Sequence, residues 1–204
     1  MKSIAIIGTG GVGGYFGAKM AAAGYEVTFF ARGTHLEALR RDGISVRSFL
    51  GDFSVPVVAA TGVIDEMPAA DLVLVCLKAW QVKGIIPELK RIMKPNTVVL
   101  PLQNGVTIAQ ELRAGLGAAC VVPGLCRIIS MIDSPGVISH IGVQPTIVFG
   151  EETGQTTDRV LAMKAVFDNS GFNSRLVGDI QADLWKKFIS ICVGGVLAVH
   201  SKTY

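Results

Sequence analysis

The feature that most constrains this chain is the segment Gly8-Thr9-Gly10-Gly11-Val12-Gly13, set directly behind the apolar run Ile4 to Ile7. A G-x-G-x-x-G spacing alone says little, but behind a strand and at the opening of a helix it specifies a strand, turn and helix built around a phosphate. Gly8 permits the tight turn, Gly10 lets the backbone approach a pyrophosphate, and Gly13 lets the helix pack closely on the strand. The N–H groups at the helix start, with the helix dipole, then hold the phosphate charge. The helix is expected over Gly11 to Ala23, with Val12, Phe16 and Met20 on one face and Gly24 at its end. Gly8, Thr9, Gly10, Gly11, Val12 and Gly13 are therefore expected to contact a dinucleotide.

A second strand is expected from Glu26 to Ala31. Just past it, about twenty residues after the loop, NAD-binding versions of this unit place an acid for the ribose hydroxyls. Here the residue is Arg32, with no Asp or Glu beside it. A guanidinium forms charge-assisted bonds to a 2′-phosphate, so the position favours NADPH over NADH.

Alternating strand and helix patterns continue through the first half and predict an α/β fold with a parallel sheet covered by helices. Thr34 is expected to cap a helix through Arg41, and Gly43 to Val58 reads as a hairpin turning at Gly51-Asp52. Asp71 to Leu77 and Val98 to Leu100 read as strands, with helices at Trp80 to Met93 and Ile108 to Leu112. Between Cys120 and Gly150 four β segments are expected to extend the sheet at its far side: Val121-Val122, Arg127 to Ile132, Val137 to Ile141 and Thr146 to Phe149. A helix from Thr157 to Ser170, a strand from Ser174 to Val177 and a long helix from Ile180 past Ala198 complete the reading. That last helix is apolar nearly all round after Lys187, and such a helix must be buried on every face. A fragment of a longer protein, or a homodimer partner that covers the helix, is the expectation.

Composition narrows the class. Half of the 204 residues are apolar and 17% are charged, which fits a well-buried protein and excludes disorder. The longest apolar run, Phe188 to Val199, falls short of the ~20 residues a bilayer span needs, and no signal peptide opens the chain. The four cysteines form no C-x-x-C pair, so a reduced, cytoplasmic protein is expected. A net charge of +3 is too small and scattered for nucleic acid but suits an anionic small ligand. His35, His140 and His200 lack metal-ligand spacing and are read as structural, as are Cys120 and Cys126, and no metal is expected.

The chain from Lys2 to about Ala198 resembles the ketopantoate reductase (2-dehydropantoate 2-reductase) family. The resemblance rests on Gly8 to Gly13, Arg32, Leu77-Lys78-Ala79-Trp80-Gln81, Gln103-Asn104-Gly105 and Leu184-Trp185-Lys186-Lys187. It implies a Rossmann-type doubly wound sheet over residues 1–178, followed at 179–204 by the start of an all-helical second domain. It also implies NADPH-dependent reduction of a small 2-oxo acid, 2-dehydropantoate to pantoate in pantothenate biosynthesis. Lys78 is expected at cofactor phosphate or ribose, outside the carboxyl end of its strand. Asn104 is expected in the same crevice, bonding ribose, nicotinamide or substrate. Lys187 matches the family's catalytic acid, which stabilises and then protonates the developing alkoxide. Lys186 lies roughly 100° around the helix axis and is assigned to solvent.

The chain departs from the ketopantoate pattern where asparagines follow that lysine by one and two helical turns. Ile191 and Gly195 stand there and offer no hydrogen bond to a substrate. Two other readings share the remaining motifs: a non-catalytic NADP-binding sensor, and a hydroxy-acid dehydrogenase with a different substrate.

Overall fold

The computed structural model describes residues 1–201; residues 202–204, the end of the expected 179–204 segment, and the side chains of Ala198, His200 and Ser201 lie outside the described residues. The chain runs β1 (Ser3–Ile7), α1 (Gly11–Ala22), β2 (Glu26–Phe30), α2 (Gly33–Asp42), β3 (Ile44–Ser48), β4 (Phe53–Val55) and β5 (Ala59–Thr61). It continues through β6 (Ala70–Val75), α3 (Ala79–Leu89), β7 (Met93–Pro101), α4 (Ile108–Leu116), β8 (Gly124–Ser134) and β9 (Val137–Phe149). It then runs through α5 (Asp158–Asn169), β10 (Asn173–Leu176) and α6 (Ile180–Ser201).

Five parallel strands form the first sheet in the order β5-β2-β1-β6-β7. Alternate side chains of its central strands go to opposite faces, as the period of two requires. Ile4, Ile6, Leu72 and Leu74 enter one apolar cluster with α1 and α5, whereas Ala5, Ile7, Val73 and Val75 enter another with α3 and α4. Both faces are therefore covered, which is why these strands read as continuous apolar runs. The order reverses between β1 and β6, so the crevice above that pair is where an open α/β sheet takes a ligand.

Helix α1 lies between this sheet and a second one. A Cβ on Gly17 would lie 2.5 Å from the Phe29 ring and one on Gly13 2.2 Å from the Gly8 carbonyl oxygen, both on the side of the first sheet. On its other side, a Cβ on Gly11 would lie 2.2 Å from the Ser130 carbonyl oxygen and one on Gly14 2.6 Å from Ile138. Ordinary side chains would hold both layers away.

The second sheet corrects the expected placement of the later β segments. Only Val121 extends the first sheet, through a single bridge to Val99. The others merge into two long strands, β8 and β9, that form an antiparallel ribbon. β9 also pairs with β3 through its first residues and with β10 through its last. The expected β3–β4 hairpin is present and belongs to this second layer. A local pattern marks a segment as a strand, but its pairing partner is set by contacts distant in sequence.

Smaller differences have local causes. Helix α2 begins at Gly33 behind Arg32, without a side-chain cap, so Thr34 does not cap it. Helix α3 ends at Leu89 but continues directly as a tighter 3-10 turn, Lys90–Ile92, that reaches the expected end beside Met93. The short strand β5 carries Ala59-Ala60-Thr61, too little alternation to be read from sequence.

Glycine in a helix interior normally costs about 1 kcal/mol relative to alanine. Gly84, exposed in α3 with open space around it, should follow that rule, and Gly84→Ala should raise stability by roughly 0.5–1 kcal/mol in urea unfolding. Gly11→Ala should instead lose about 1–3 kcal/mol, because its methyl meets strand backbone that cannot rotate away.

Candidate functional site

A cleft of about 970 Å³ opens above the carboxyl ends of β1, β6 and β7, bounded by β8 and α6. It brings together Gly10, Gly11 and Val12 of the loop, Lys78, Asn104 and Lys187. Gly10 precedes α1 with no side-chain cap, no acid occupies the first turn, and nothing stands within 4 Å of where its Cβ would be. The N–H groups there are open to an anion.

Gly8, Thr9 and Gly13 do not line the cleft but build its floor. Gly8 takes φ +101°, a conformation that favours glycine, and Gly13 allows the close helix approach described above. Thr9 is buried, and its N–H and hydroxyl both donate to the Phe30 carbonyl at 3.1 and 3.0 Å. Its side chain thus ties the loop to the end of β2 instead of facing a ligand. Arg32, two residues beyond Phe30, is exposed outside the cleft lining, with its guanidinium 5.2 Å from the Phe30 ring centre. The Thr9 bonds therefore hold the carboxyl end of β2, and Arg32 just beyond it, beside the loop.

Lys78 stands at the start of α3, where its backbone N–H is taken by Gln81 Oε1 at 3.1 Å and its side chain is exposed. Asn104 follows β7 and is exposed on the cleft. Beside it lies Gln103, a residue that sequence reasoning quoted in a motif but gave no task. Its Nε2 donates to the Val75 and Leu77 carbonyls at 3.0 and 3.1 Å, which fixes the loop before Lys78. Its Oε1 is buried at the cleft with no partner among the described residues. A buried acceptor left in this state is costly, so it calls for a donor from a ligand.

Lys187 comes from a distant element. Ile180 and Leu184 of α6 pack with Leu125 and Val148, and Lys187 follows at the next position of the same face. Its ammonium is half-buried and donates to the Cys126 carbonyl at 2.6 Å. Burial lowers its pKa from the ordinary lysine value; Cys126 opposes this, and the charge of Arg127 adds a smaller effect in the same direction as burial. Burial pushes the Cys126 thiol up to about 11, so it stays protonated and neutral at neutral pH. Lys186, assigned to solvent, is exposed but at the rim of the cleft. Arg127, which no motif singled out, also lines it.

Among the residues read as structural, the His200 side chain lies outside the described residues, and the others engage backbone or neighbouring side chains. His35 Nδ1 accepts the Gly136 N–H, and His140 is buried between the Ser48 hydroxyl and the Val143 carbonyl. Cys120 directs its thiol at the Leu116 and Gly117 carbonyls. Among the described residues, no three His, Cys, Asp or Glu side chains gather as a metal site, and no helix is long and apolar enough to cross a membrane.

The fold and the cleft define a doubly wound α/β domain with a dinucleotide-type loop and a lysine carried in from a following helix. The sequence model described as ketopantoate reductase PanE/ApbA matches residues 4–154, and the chain belongs to that family. It is 32% identical over 187 residues to the uncharacterized oxidoreductase YkpB of Bacillus subtilis, covering 91% of this chain and 61% of the relative. A 2-dehydropantoate 2-reductase of Nostoc is 34% identical over 193 residues, covering 92% of this chain and 60% of the relative. The chain thus spans about 60% of the length of these curated relatives. Among solved structures, the 2-dehydropantoate 2-reductase of Porphyromonas gingivalis superposes with a TM-score of 0.93 at 30% identity, covering 99% of this chain and 73% of that one. A D-mandelate dehydrogenase solved with NADH and anilino(oxo)acetate shares the fold, with a TM-score of 0.81 at 19% identity, covering 91% of this chain and 60% of that one.

The lowered pKa of Lys187 has a testable sign. The unfolded chain holds this proton more tightly than the folded one, so the buried ammonium disfavours folding at neutral pH and the penalty fades as pH rises toward 10.5. Titration of the Lys187 ε-carbon by NMR should give a midpoint below 10.5, and a midpoint at or above it would contradict this burial.

Proposed function

We propose that this chain is the cofactor-binding part of an NADPH-dependent reductase that converts a small 2-oxo acid to its 2-hydroxy acid. The observation that carries this reading is that α6 delivers the Lys187 ammonium to the cleft that holds the uncapped loop and Asn104. The 2-dehydropantoate of the relatives' names, reduced to pantoate, is the reference substrate. Because Ile191 and Gly195 replace the expected asparagines, the reading commits to the 2-oxo acid class and not to that member alone.

The residues fit the cofactor. The open N–H groups at Gly11 and Val12 suit its pyrophosphate, Lys78 its phosphate or ribose, Gln103 Oε1 an amide or hydroxyl donor, and Arg32 its 2′-phosphate. When bound, NADPH supplies the hydride that adds to the 2-oxo carbon. Lys187 then has two tasks: its charge stabilises the oxygen as negative charge develops there, and its proton completes the hydroxyl. A pKa lowered by burial makes it a readier acid than a free lysine. Asn104 orients substrate or nicotinamide through an amide that both donates and accepts.

In this reading residues 1–178 form the Rossmann-type domain and residues 179–204 open a second, helical one. Among the described residues, the large apolar side chains of α6 after Lys187 are exposed, Val196 by 69% and Leu197 by 60%. The further length present in the relatives would cover them, with a homodimer partner as the other occupant. A cytoplasmic location follows from the metabolic role, and neither nucleic acid nor membrane is a partner.

In the complete polypeptide, calorimetry should show NADPH binding well above NADH, and Arg32→Ala should weaken NADPH by about ten- to a hundredfold with little effect on NADH. Equal affinities for the two cofactors would contradict the role of Arg32. Lys187→Ala should lower turnover by about 10²–10⁴-fold while leaving NADPH affinity nearly unchanged. Unaltered turnover would contradict the acid role of Lys187, and no 2-oxo acid reduced at all would favour the sensor reading.

A further inference from the structure

The lining of the cleft contains four cations, Lys78, Arg127, Lys186 and Lys187, and no Asp or Glu. Three of them belong to the motifs already read, and Arg127 does not. It follows Cys126 in β8, where successive side chains point to opposite faces. Leu125, two residues earlier and on the same face of β8, packs on Ile180 and Leu184 of α6, so Arg127 turns toward α6; it lines the cleft together with Cys126. Arg47, Arg113 and Arg159 each hold a carboxylate, but Arg127 is exposed and has no ion-pair partner among the described residues. Its charge is felt at Lys187, whose ammonium is fixed to the carbonyl of the preceding residue. Two like charges held at one cleft disfavour each other, and an anion placed between them offsets that repulsion.

Around this pair the wall is apolar. Ile191 lies one turn after Lys187 on the same helix and lines the cleft, as do Ile129 and Val143 from the β8–β9 ribbon. These three side chains are between 39% and 46% exposed, so they present surface instead of core.

We propose that Arg127 anchors the substrate carboxylate and sets specificity: it holds the acid group of a 2-oxo acid whose oxo group faces Lys187 and whose hydroxyl-free tail packs on Ile191, Ile129 and Val143. The proposal rests on the reductase reading above and names its substrate class. A guanidinium binds a carboxylate through two parallel hydrogen bonds, which fixes the orientation of the adjacent carbonyl as well as its place. Chemistry is unchanged by it: the carboxylate is neither made nor broken, and only the 2-oxo group gains a hydride and a proton. Polar recognition has moved from the helix, where Ile191 and Gly195 offer none, to the strand.

The test uses the complete polypeptide with NADPH and three probes: 3,3-dimethyl-2-oxobutanoate, its amide, and 2-dehydropantoate, which differs from the first only by a hydroxyl. The first probe should be reduced with the highest kcat/KM. Arg127→Ala should lower that value roughly 100-fold, mainly through KM, while Arg127→Lys recovers part of the loss. The amide should be a poor substrate for the native protein and equally poor for Arg127→Ala, and NADPH affinity should hold within about twofold. Equal losses on acid and amide, or a weakened NADPH affinity with KM unchanged, would overturn the carboxylate role. A clear preference for 2-dehydropantoate would overturn the hydroxyl-free tail. If the native protein reduces the acids and Arg127→Ala matches it, this proposal fails and the reductase reading stands; if neither acid nor any other 2-oxo acid is reduced, both fail.

Discussion

The close approach of α1 to two layers at once is the contact on which the rest of the structure depends. Gly13 and Gly17 let it settle on the first sheet, and Gly11 and Gly14 let the second sheet settle on it. The same approach brings Ser130 of β8 over the phosphate loop, so that β8 becomes a wall of the cleft rather than a remote strand. One run of small residues therefore does two jobs. It opens the helix N-terminus to an anion, and it carries Cys126 and Arg127 to where they meet α6.

The position of Lys187 follows from that arrangement. Its side chain reaches the Cys126 carbonyl because β8 is already in place, and because Ile180 and Leu184 fasten α6 to Leu125 and Val148. Half-burial on that carbonyl costs the ammonium part of its hydration, which lowers its pKa and suits it to release a proton. The loop, the lysine and the cation at Arg127 are thus coupled through one strand. A displacement of β8 would disturb all three.

Much of this was legible in the sequence, for identifiable reasons. The unit from β1 to β2 declared itself through a continuous apolar run, fixed glycine spacing and an arginine where an acid was absent. Lys78, Asn104 and Lys187 were found by motif, and the cleft gathers them. The second sheet was not legible, because alternation in Arg127 to Ile132 or Val137 to Ile141 identifies strands without identifying their neighbours. Arg127 was missed for the same reason: nothing local distinguishes it from a solvated arginine until β8 is placed against α6. Gln103 stood inside a motif, but its task depends on the carbonyls of Val75 and Leu77 reaching it from another strand. Thr9 was read as a ligand contact, whereas its hydroxyl is engaged by Phe30.

In the proposed reading one cleft receives both the dinucleotide and the 2-oxo acid, with Lys187 at the oxo group that is reduced. A crystal structure of the complete polypeptide with NADP⁺ and an unreactive 2-oxo acid analogue such as oxamate tests it directly. Pyrophosphate is expected on the Gly11 and Val12 N–H groups, with Lys187 at the oxo group of the analogue beside the nicotinamide ring. A dinucleotide bound away from the loop, or an analogue bound out of reach of Lys187, would contradict it.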